Sequence, residues 1–258
     1  MSSSGVTAAT AASWGRTEPG MGLYRERGVV LRTIKLGEAD RIVTLVTEGR
    51  GKVRAVAKGV RRTKSRFGAR LEPLSHVALL CYEGRSLDTI TQAEAIDHFR
   101  PVREDLERLG RATCLLEVVD AVVQEGEADP RLYQMLLGAL RTLAANDAPL
   151  LVPAFFWRLL AQQGFRPVLE HCVACGSGGA LVAFDVGEGG VLCPSCRHGT
   201  RITAEALGLL RRILGGDLVA VLAEGPVPAG PELEYLGTRA LEHHLERRLR
   251  AVGVLDRA

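Results

Sequence analysis

Four cysteines constrain the fold of this 258-residue chain more than any other feature of its sequence. Cys172-x2-Cys175 is followed, after 17 residues, by Cys193-x2-Cys196. Two knuckles at this separation let four thiolates converge tetrahedrally on one zinc ion, and Gly176 permits the tight turn that follows the first knuckle. Because four protein ligands leave no position for water, the pattern predicts one structural zinc ion in a small inserted module.

Other roles for these cysteines fit the sequence less well. A redox CxxC motif needs only one pair and usually a βαβ setting. His171 and His198 flank the knuckles and are alternative ligands. A zinc deaminase carries a proline directly before its last CxxC, where this chain has Leu192. The sequence also has no phosphate-binding loop and no nucleophile motif, so we expect no enzyme active site.

Charge is segregated along the chain. The formal net charge is only +3, but residues 1–100 hold 17 basic and 10 acidic side chains, whereas the remainder holds 16 and 20. The stretch Gly49–Leu71 contains nine basic residues and no acidic one. Such a block repels itself unless an anion neutralises it, and a lipid-binding helix would need apolar residues opposite the charges. We therefore expect this stretch to bind nucleic acid.

The basic stretch can follow a phosphate chain. In Lys52–Lys58, strand alternation places Lys52, Arg54 and Lys58 on one face. Successive positions on that face are about 7 Å apart, which is close to the phosphate spacing of an extended strand. The next segment, Gly59–Arg70, is predicted to project as a mobile basic arm. The predicted nucleic-acid contacts are Lys35, Arg41, Lys52, Arg54, Lys58, Arg61, Arg62, Lys64, Arg66 and Arg70.

Few aromatic residues are available for base stacking, because they make up only 5% of the chain. The candidates near the basic stretch are Phe67, Tyr24 and Tyr82. Phosphate contacts must then supply most of the affinity, which predicts weak sequence preference. With five to eight neutralised phosphates, the logarithm of the binding constant should fall with the logarithm of salt concentration with a slope of about −4 to −6.

The first hundred residues have an all-β pattern. Short β-branched runs alternate with turn signals, and they predict five strands. These strands are Tyr24–Lys35, Ile42–Thr47, Lys52–Lys58, His76–Cys81 and Arg85–Ala95. Five short strands fit a small closed barrel of the OB-fold type, and an SH3-like barrel also fits the pattern.

From Pro101 the hydrophobic period changes from two to 3.6, which predicts helices. The first places Leu106, Leu109, Thr113, Leu116 and Asp120 on one stripe, with Cys114, Val118 and Ala121 beside it. The others are expected at Pro130–Leu143, Pro149–Gln163, Thr203–Leu214 and Pro231–Val252. The third is apolar almost all round, which is typical of a helix at the centre of its domain.

The predicted fold is a multidomain α+β protein. It consists of a disordered leader (1–22), an OB-fold domain (23–98), an all-α helical domain (99–170 and 201–258) and the inserted four-cysteine zinc module (171–200). No apolar run reaches the roughly 20 residues of a membrane span. The N-terminus has no secretory signal, and six cysteines without an export signal indicate a reducing compartment. We expect a cytoplasmic, nucleoid-associated protein.

The order of these parts resembles the RecO family of bacterial recombination mediators, in particular its actinobacterial type. The resemblance covers about Leu23–Val252 and is most specific in the cysteine knuckles and four N-terminal segments. These segments are Tyr24–Arg32, Lys35–Leu45, Gly51–Arg62 and Phe67–Pro73.

The resemblance implies an OB-fold that binds single- and double-stranded DNA, a helical domain and zinc bound by the four cysteines. It implies strand annealing, binding of RecR and of the C-terminal tail of single-strand-binding protein (SSB), and, indirectly, loading of RecA. The basic residues that match the basic barrel face of the family are Lys35, Arg41, Lys52, Arg54, Lys58, Arg61 and Arg62. We hypothesise in addition that the arm, Gly59–Arg70, bridges a second strand during annealing while the strand face holds the first.

Two other classes of function share some of these features. An OB-fold RNA-binding or ribosome-associated factor would have the same basic barrel but prefer folded RNA. A zinc-dependent enzyme would lose activity on chelation under conditions that leave its fold intact.

Overall fold

The N-terminal part of the chain is a closed five-stranded β-barrel. The computed structural model describes residues 22–62, 65 and 67–251. The barrel strands are β1 (Leu23–Leu36), β2 (Asp40–Thr47), β3 (Gly51–Ala57), β4 (His76–Tyr82) and β5 (Asp88–Asp97). They close in the order β1-β2-β3-β5-β4, and only the β3–β5 pair is parallel. This order confirms the OB-fold and distinguishes the barrel from the SH3-like alternative.

Alternating side chains fill the barrel core. In β3, Val53, Ala55 and Ala57 are buried, and the residues between them are half-buried. Strand β1 changes its main partner along its length, because its first half pairs with β4 and its second half pairs with β2. The barrel therefore presents two outer surfaces, one on β1-β2-β3 and one on β1-β4-β5.

The rest of the described chain is mainly helical. The helices are α1 (Arg100–Arg103), α2 (Leu106–Val122), α3 (Pro130–Ala145), α4 (Leu151–Gln162), α5 (Ala204–Gly215), α6 (Leu218–Ala223) and α7 (Ala229–Leu245). Helix α4 is buried almost all round, as its composition predicts. Its Trp157 Nε1 donates to the carbonyl of Leu233 in α7 at 3.0 Å. Helix α4 thus forms the centre of the helical region.

Two helical predictions differ from the structure. In α2 the buried face is centred on Leu115, Val118 and Val119, and Leu106 is 84% exposed. The predicted stripe is therefore wrong at its start, whereas Leu116 of the stripe and Cys114 and Val118 beside it are buried as predicted. The last helix ends at Leu245 and not at Val252, because Glu246 adopts a left-handed conformation with φ of 50°.

Barrel and helical region share one core. Val29, Leu31 and Val46, on the outer surface of the barrel, belong to the same buried cluster as the helices. The backbone N–H of Lys52 in β3 donates to the carbonyl of Gln124, just after α2, at 2.8 Å. Part of the outer surface of β1-β2-β3 is therefore covered by the helical region.

The four-cysteine segment lies between α4 and α5. It contains a three-stranded sheet of β6 (Ala183–Asp185), β7 (Gly190–Leu192) and β8 (Thr200–Arg201), in the order β7-β6-β8. The sequence pattern did not predict these very short strands.

Several predictions fall on residues that the structure does not describe. They are the leader, apart from Gly22, and the contacts Lys64 and Arg66. Within the described part of the chain, no helix combines the length and the hydropathy that a bilayer span requires.

Candidate metal centre and nucleic-acid interface

The four predicted ligands converge on one point. The Sγ atoms of Cys172, Cys175, Cys193 and Cys196 all lie within 4.8 Å of one another. Cys172 and Cys193 are buried, whereas Cys175 is exposed. The cluster can hold a metal ion in an all-thiolate site, closed to further ligands.

Local backbone structure holds the first knuckle. The N–H of Gly176 donates to the carbonyl of Cys172 at 2.8 Å, and Gly176 has a φ of 75°, which favours glycine. The N–H of Cys172 donates to the carbonyl of Ser177 at 2.8 Å. In the second knuckle, the N–H of Cys196 donates to the carbonyl of Cys193 at 3.2 Å. Each CxxC pair is thus folded into a turn that aims both sulfurs inward.

The thiols perturb one another strongly. Backbone N–H groups, first that of Cys193 and then those of Cys175 and Ala174, lower the pKa of Cys172 to about 6. Hydrogen bonds with the neighbouring sulfurs of Cys175 and Cys193 raise the pKa of Cys196 to about 12, because they favour its protonated form. A divalent cation would replace the protons shared among these sulfurs, and the donor set therefore fits a thiolate-bound metal.

Neither flanking histidine belongs to the cluster of described ligand atoms. His198 Nδ1 lies 2.9 Å from the carbonyl oxygen of Cys196, and its Nε2 lies 3.3 Å from Glu188 Oε1. His171 is exposed. The structure therefore favours four cysteines over a mixed cysteine and histidine set.

Three of the predicted nucleic-acid contacts form ion pairs inside the protein. Lys52 Nζ lies 3.3 Å from Asp120 Oδ1 and donates to the Asp120 carbonyl at 2.5 Å. Arg54 Nη1 lies 3.6 Å from Glu125 Oε1, and Arg41 Nη1 lies 2.6 Å from Glu72 Oε1. Lys52 and Arg54 do share one face of β3, as predicted, but that face turns toward the helical region.

Other predicted contacts gather at one end of the barrel, around the turn between β1 and β2. We call Lys35, Lys58, Arg61 and Arg62 the basic rim. All four are exposed. The N–H of Arg61 donates to the carbonyl of Ala39 at 3.0 Å, and its side chain donates to the carbonyl of Gly37 at 3.3 Å. The chain after β3 is thereby held against the β1–β2 turn.

The segment Gly59–Arg70 is anchored at its end rather than projecting along its whole length. Phe67 is 1% exposed and belongs to the barrel core together with Leu71. A 3-10 helix, Gly68–Leu71, follows, and Arg70 donates to the carbonyl of Phe67 at 3.2 Å. The prediction of a freely projecting arm missed this anchor, because one large apolar side chain among many charges gives a weak sequence signal.

The three candidates for base stacking differ in their exposure to solvent. Tyr24 is 5% exposed and, like Phe67, lies in the barrel core. Tyr82 is 50% exposed. Of the three candidates, only Tyr82 is available to stack on a base.

A cleft between barrel and helical region brings together basic residues that sequence reasoning missed. It has a volume of about 970 Å³ and an apolar floor that includes Leu31, Leu74 and Leu116. The missed basic residues that line it are Arg32, Arg103, Arg247 and Arg250. The sequence does carry a signal for the last two, in the basic run Arg247–Arg250, but the helical pattern assigns that run to the last helix.

Comparison with known protein families decides the identity of the chain. Residues 21–99 match the family described as "Recombination protein O N terminal", and residues 103–252 match "Recombination protein O C terminal". The chain belongs to the RecO family. RecO is a family of DNA repair and recombination proteins, and this chain spans both of its parts.

Curated relatives in the RecO family match along their whole length. The protein named "DNA repair protein RecO" from Frankia casuarinae is 45% identical over 245 residues, which cover 92% of this chain and 100% of the relative. Those from Nocardioides sp. and Thermobifida fusca are 46% and 42% identical, and they cover 91% and 92% of this chain and 100% of each relative. The resemblance inferred from the sequence is confirmed.

Proposed function

We propose that the chain is a recombination mediator in DNA repair. It binds single- and double-stranded DNA without sequence preference, anneals complementary strands and, with RecR, helps to load RecA onto SSB-coated DNA. The observation that carries this proposal is the exposed basic rim at one end of an OB-fold barrel in a chain of the RecO family.

The proposed DNA contacts are the ten basic residues named from the sequence. The structure supports Lys35, Lys58, Arg61 and Arg62 most directly, because these side chains are exposed. Arg41, Lys52 and Arg54 are paired with carboxylates, and they contribute mainly to the field of the surface. Phosphate contact through the rim accounts for binding that depends on charge and not on base sequence.

We propose a single structural zinc ion at the four cysteines. Zinc supplies a tetrahedral all-thiolate centre that stabilises a loop with little core of its own. The buried cluster around the cysteines consists of only four residues, Cys172, Ala183, Leu192 and Cys193. The zinc module is taken as residues 171–200, between an OB-fold domain of 23–98 and helical segments of 99–170 and 201–258.

The proposed protein partners are RecR and the SSB C-terminal tail, with RecA acting indirectly. The tail is placed in the helical region. The proposed site of action is the cytoplasm, on the nucleoid.

Annealing of complementary oligonucleotides that are precoated with SSB tests the proposal. The rate is measured with and without RecR across a salt series. We expect annealing at low salt and a rate that falls steeply as salt increases. Failure to anneal at any salt concentration would overturn the proposal.

Matched variants sharpen this experiment. Lys58→Glu combined with Arg61→Glu should slow annealing, whereas Arg239→Glu, at an exposed position of α7, should not. Structured RNA is added as a competitor. Preferential inhibition by RNA over duplex DNA of equal length would favour an RNA-binding factor instead.

A further inference from the structure

The exposed aromatic residue of the barrel lies away from the basic rim. Tyr82 is the last residue of β4, and in the sheet it lies opposite Leu23 of β1. Both side chains are about half exposed, at 50% and 56%. The available stacking platform is therefore on the β1-β4-β5 surface, and the basic rim surrounds the β1–β2 turn.

Two arginines lie on the same surface as Tyr82. Tyr24, Val77, Leu79 and Cys81 point into the barrel core. Strand alternation thus turns Arg25 and Arg27 outward, and both are exposed. They are about 7 Å apart along β1, which is close to the phosphate spacing of an extended strand. Arg25 lies opposite Leu80, so it is a diagonal neighbour of Tyr82 within reach of its ring.

The surroundings of this surface are mainly basic. Arg85 is exposed on the loop between β4 and β5. Arg27 and Arg141 of α3 both lie near His76, where each disfavours its protonation. Glu94 and Asp97 are exposed carboxylates on β5, with Asp97 opposite His76. Glu83 of the β4–β5 loop is paired, since its Oε1 lies 3.6 Å from Arg50 Nη1. An aromatic platform flanked by arginines is the arrangement that binds single strands in a sequence-tolerant manner.

The geometry points to a second single-stranded nucleic-acid site, formed by Arg25, Arg27 and Tyr82 on the outer surface of β1-β4-β5. Arg25 and Arg27 contact successive phosphates, and a base stacks on Tyr82. This inference rests on the proposed function, because it takes the basic rim as the first site. One small barrel then holds two strands at once, and each raises the local concentration of the other for pairing.

Binding stoichiometry of the full chain tests the inference. The probe is an octamer of thymidylate, short enough to occupy one surface, titrated at low salt with fluorescence anisotropy. We expect the wild type to bind two equivalents of octamer per chain. Arg25→Glu combined with Arg27→Glu should leave one equivalent, and Lys58→Glu combined with Arg61→Glu should also leave one.

Tyr82→Ala provides a milder variant at a half-exposed position. It should weaken the second equivalent about 10-fold and leave the first unchanged. Photocrosslinking with an octamer that carries iodouracil should label Tyr82 in the wild type. Arg239→Glu is the matched charge control and should keep two equivalents.

Different results separate the two proposals. One equivalent in the wild type, or two equivalents in the Arg25 and Arg27 double variant, overturns the second site and leaves the basic rim intact. A wild type that binds no octamer overturns the proposed function itself.

Discussion

Cys172 and Cys193 are the buried members of the cysteine cluster, and each begins a CxxC turn. Cys175 and Cys196 are more accessible to solvent. Loss of either buried thiol removes one of the four candidate ligands and also leaves a gap in the small core around the cluster. We therefore expect the effect of replacing each cysteine to depend on its burial as well as on metal binding.

Cys193→Ser should abolish metal binding by the purified protein. Serine is a poor zinc ligand, and three thiolates do not fill a tetrahedral structural site. We expect metal content to fall from about one equivalent to near zero, and the melting temperature to fall as well. Elemental analysis and thermal denaturation measure both. Cys81→Ala, in the barrel core, is the control and should keep the metal; full metal content in Cys193→Ser would contradict the four-thiolate site.

His76 links the barrel to α3. Its Nε2 lies 2.8 Å from the hydroxyl of Tyr133, and the side chain is buried. Burial, with smaller effects of Arg141 and Arg27, lowers the pKa of His76 from 6.5 to about 4. The unfolded chain therefore takes up a proton more readily than the folded one between these pH values.

Stability should consequently depend on pH through His76. Its contribution is complete above pH 6.5 and is lost as pH falls toward 4, by at most about 1.4 kcal/mol per pH unit. Urea denaturation at pH 7 and pH 5 measures the free energy of unfolding of the wild type and of His76→Gln. We expect the wild type to lose about 1 to 2 kcal/mol more than the variant over this interval. An equal loss in both proteins would show that His76 is not the group responsible.

Individual ion pairs could not be predicted from the sequence. Lys52 and Asp120 are 68 residues apart. The stretch Gly49–Leu71 is purely basic in sequence, but Glu72, Asp120 and Glu125 supply its carboxylate partners in the structure. The cysteine cluster was predictable because each pair of ligands is local in sequence and its spacing is characteristic.

At the scale of elements, the turn between β2 and β3 locks the barrel to the helical region. Gly51 has a φ of 65°, and a Cβ atom there would lie 2.0 Å from the carbonyl oxygen of Glu127. The same turn is bridged to Glu125, and Lys52 donates its N–H to Gln124. Only glycine allows this close approach of two backbones.

Gly51→Ala should therefore destabilise the protein by more than conformational strain alone. A left-handed alanine costs about 1 to 2 kcal/mol, and the collision with the Glu127 backbone adds to this cost. Gly126→Ala is a matched control, because Gly126 has a φ of 78° but open space around it. Chemical denaturation should show a larger loss of stability for Gly51→Ala. Equal losses of stability in the two variants would mean that the backbone contact between Gly51 and Glu127 can shift to accommodate a Cβ atom.

The elements themselves were predictable to different degrees. All five barrel strands were found from the alternation of β-branched residues, because each strand buries one face in the barrel core. Helix α4 was found because it is apolar all round. The buried face of α2 was predicted in part, because Cys114, Leu116 and Val118 are buried as expected, whereas Leu106 is exposed. Which residues at the start of this helix are buried depends on tertiary contacts.

At the scale of the whole molecule, charge and architecture are related. The basic excess of residues 1–100 belongs to the barrel, and the acidic excess belongs to the helical region and the cysteine segment. Ion pairs between the barrel and the helical region, at Asp120 and Glu125, neutralise part of the charge on both. Of the exposed remainder, Lys35, Lys58, Arg61 and Arg62 form the basic rim around the β1–β2 turn. We expect DNA to meet that end of the barrel.

The salt dependence of single-strand binding tests this account most directly. Of the eight predicted contacts that the structure describes, three are paired with carboxylates, and four form the exposed basic rim. Binding of an unstructured single strand is measured by anisotropy from low to high salt. The account predicts a log–log slope of about −4 to −6. A slope shallower than about −2 would contradict the claim that the basic end of the barrel binds DNA through its phosphates.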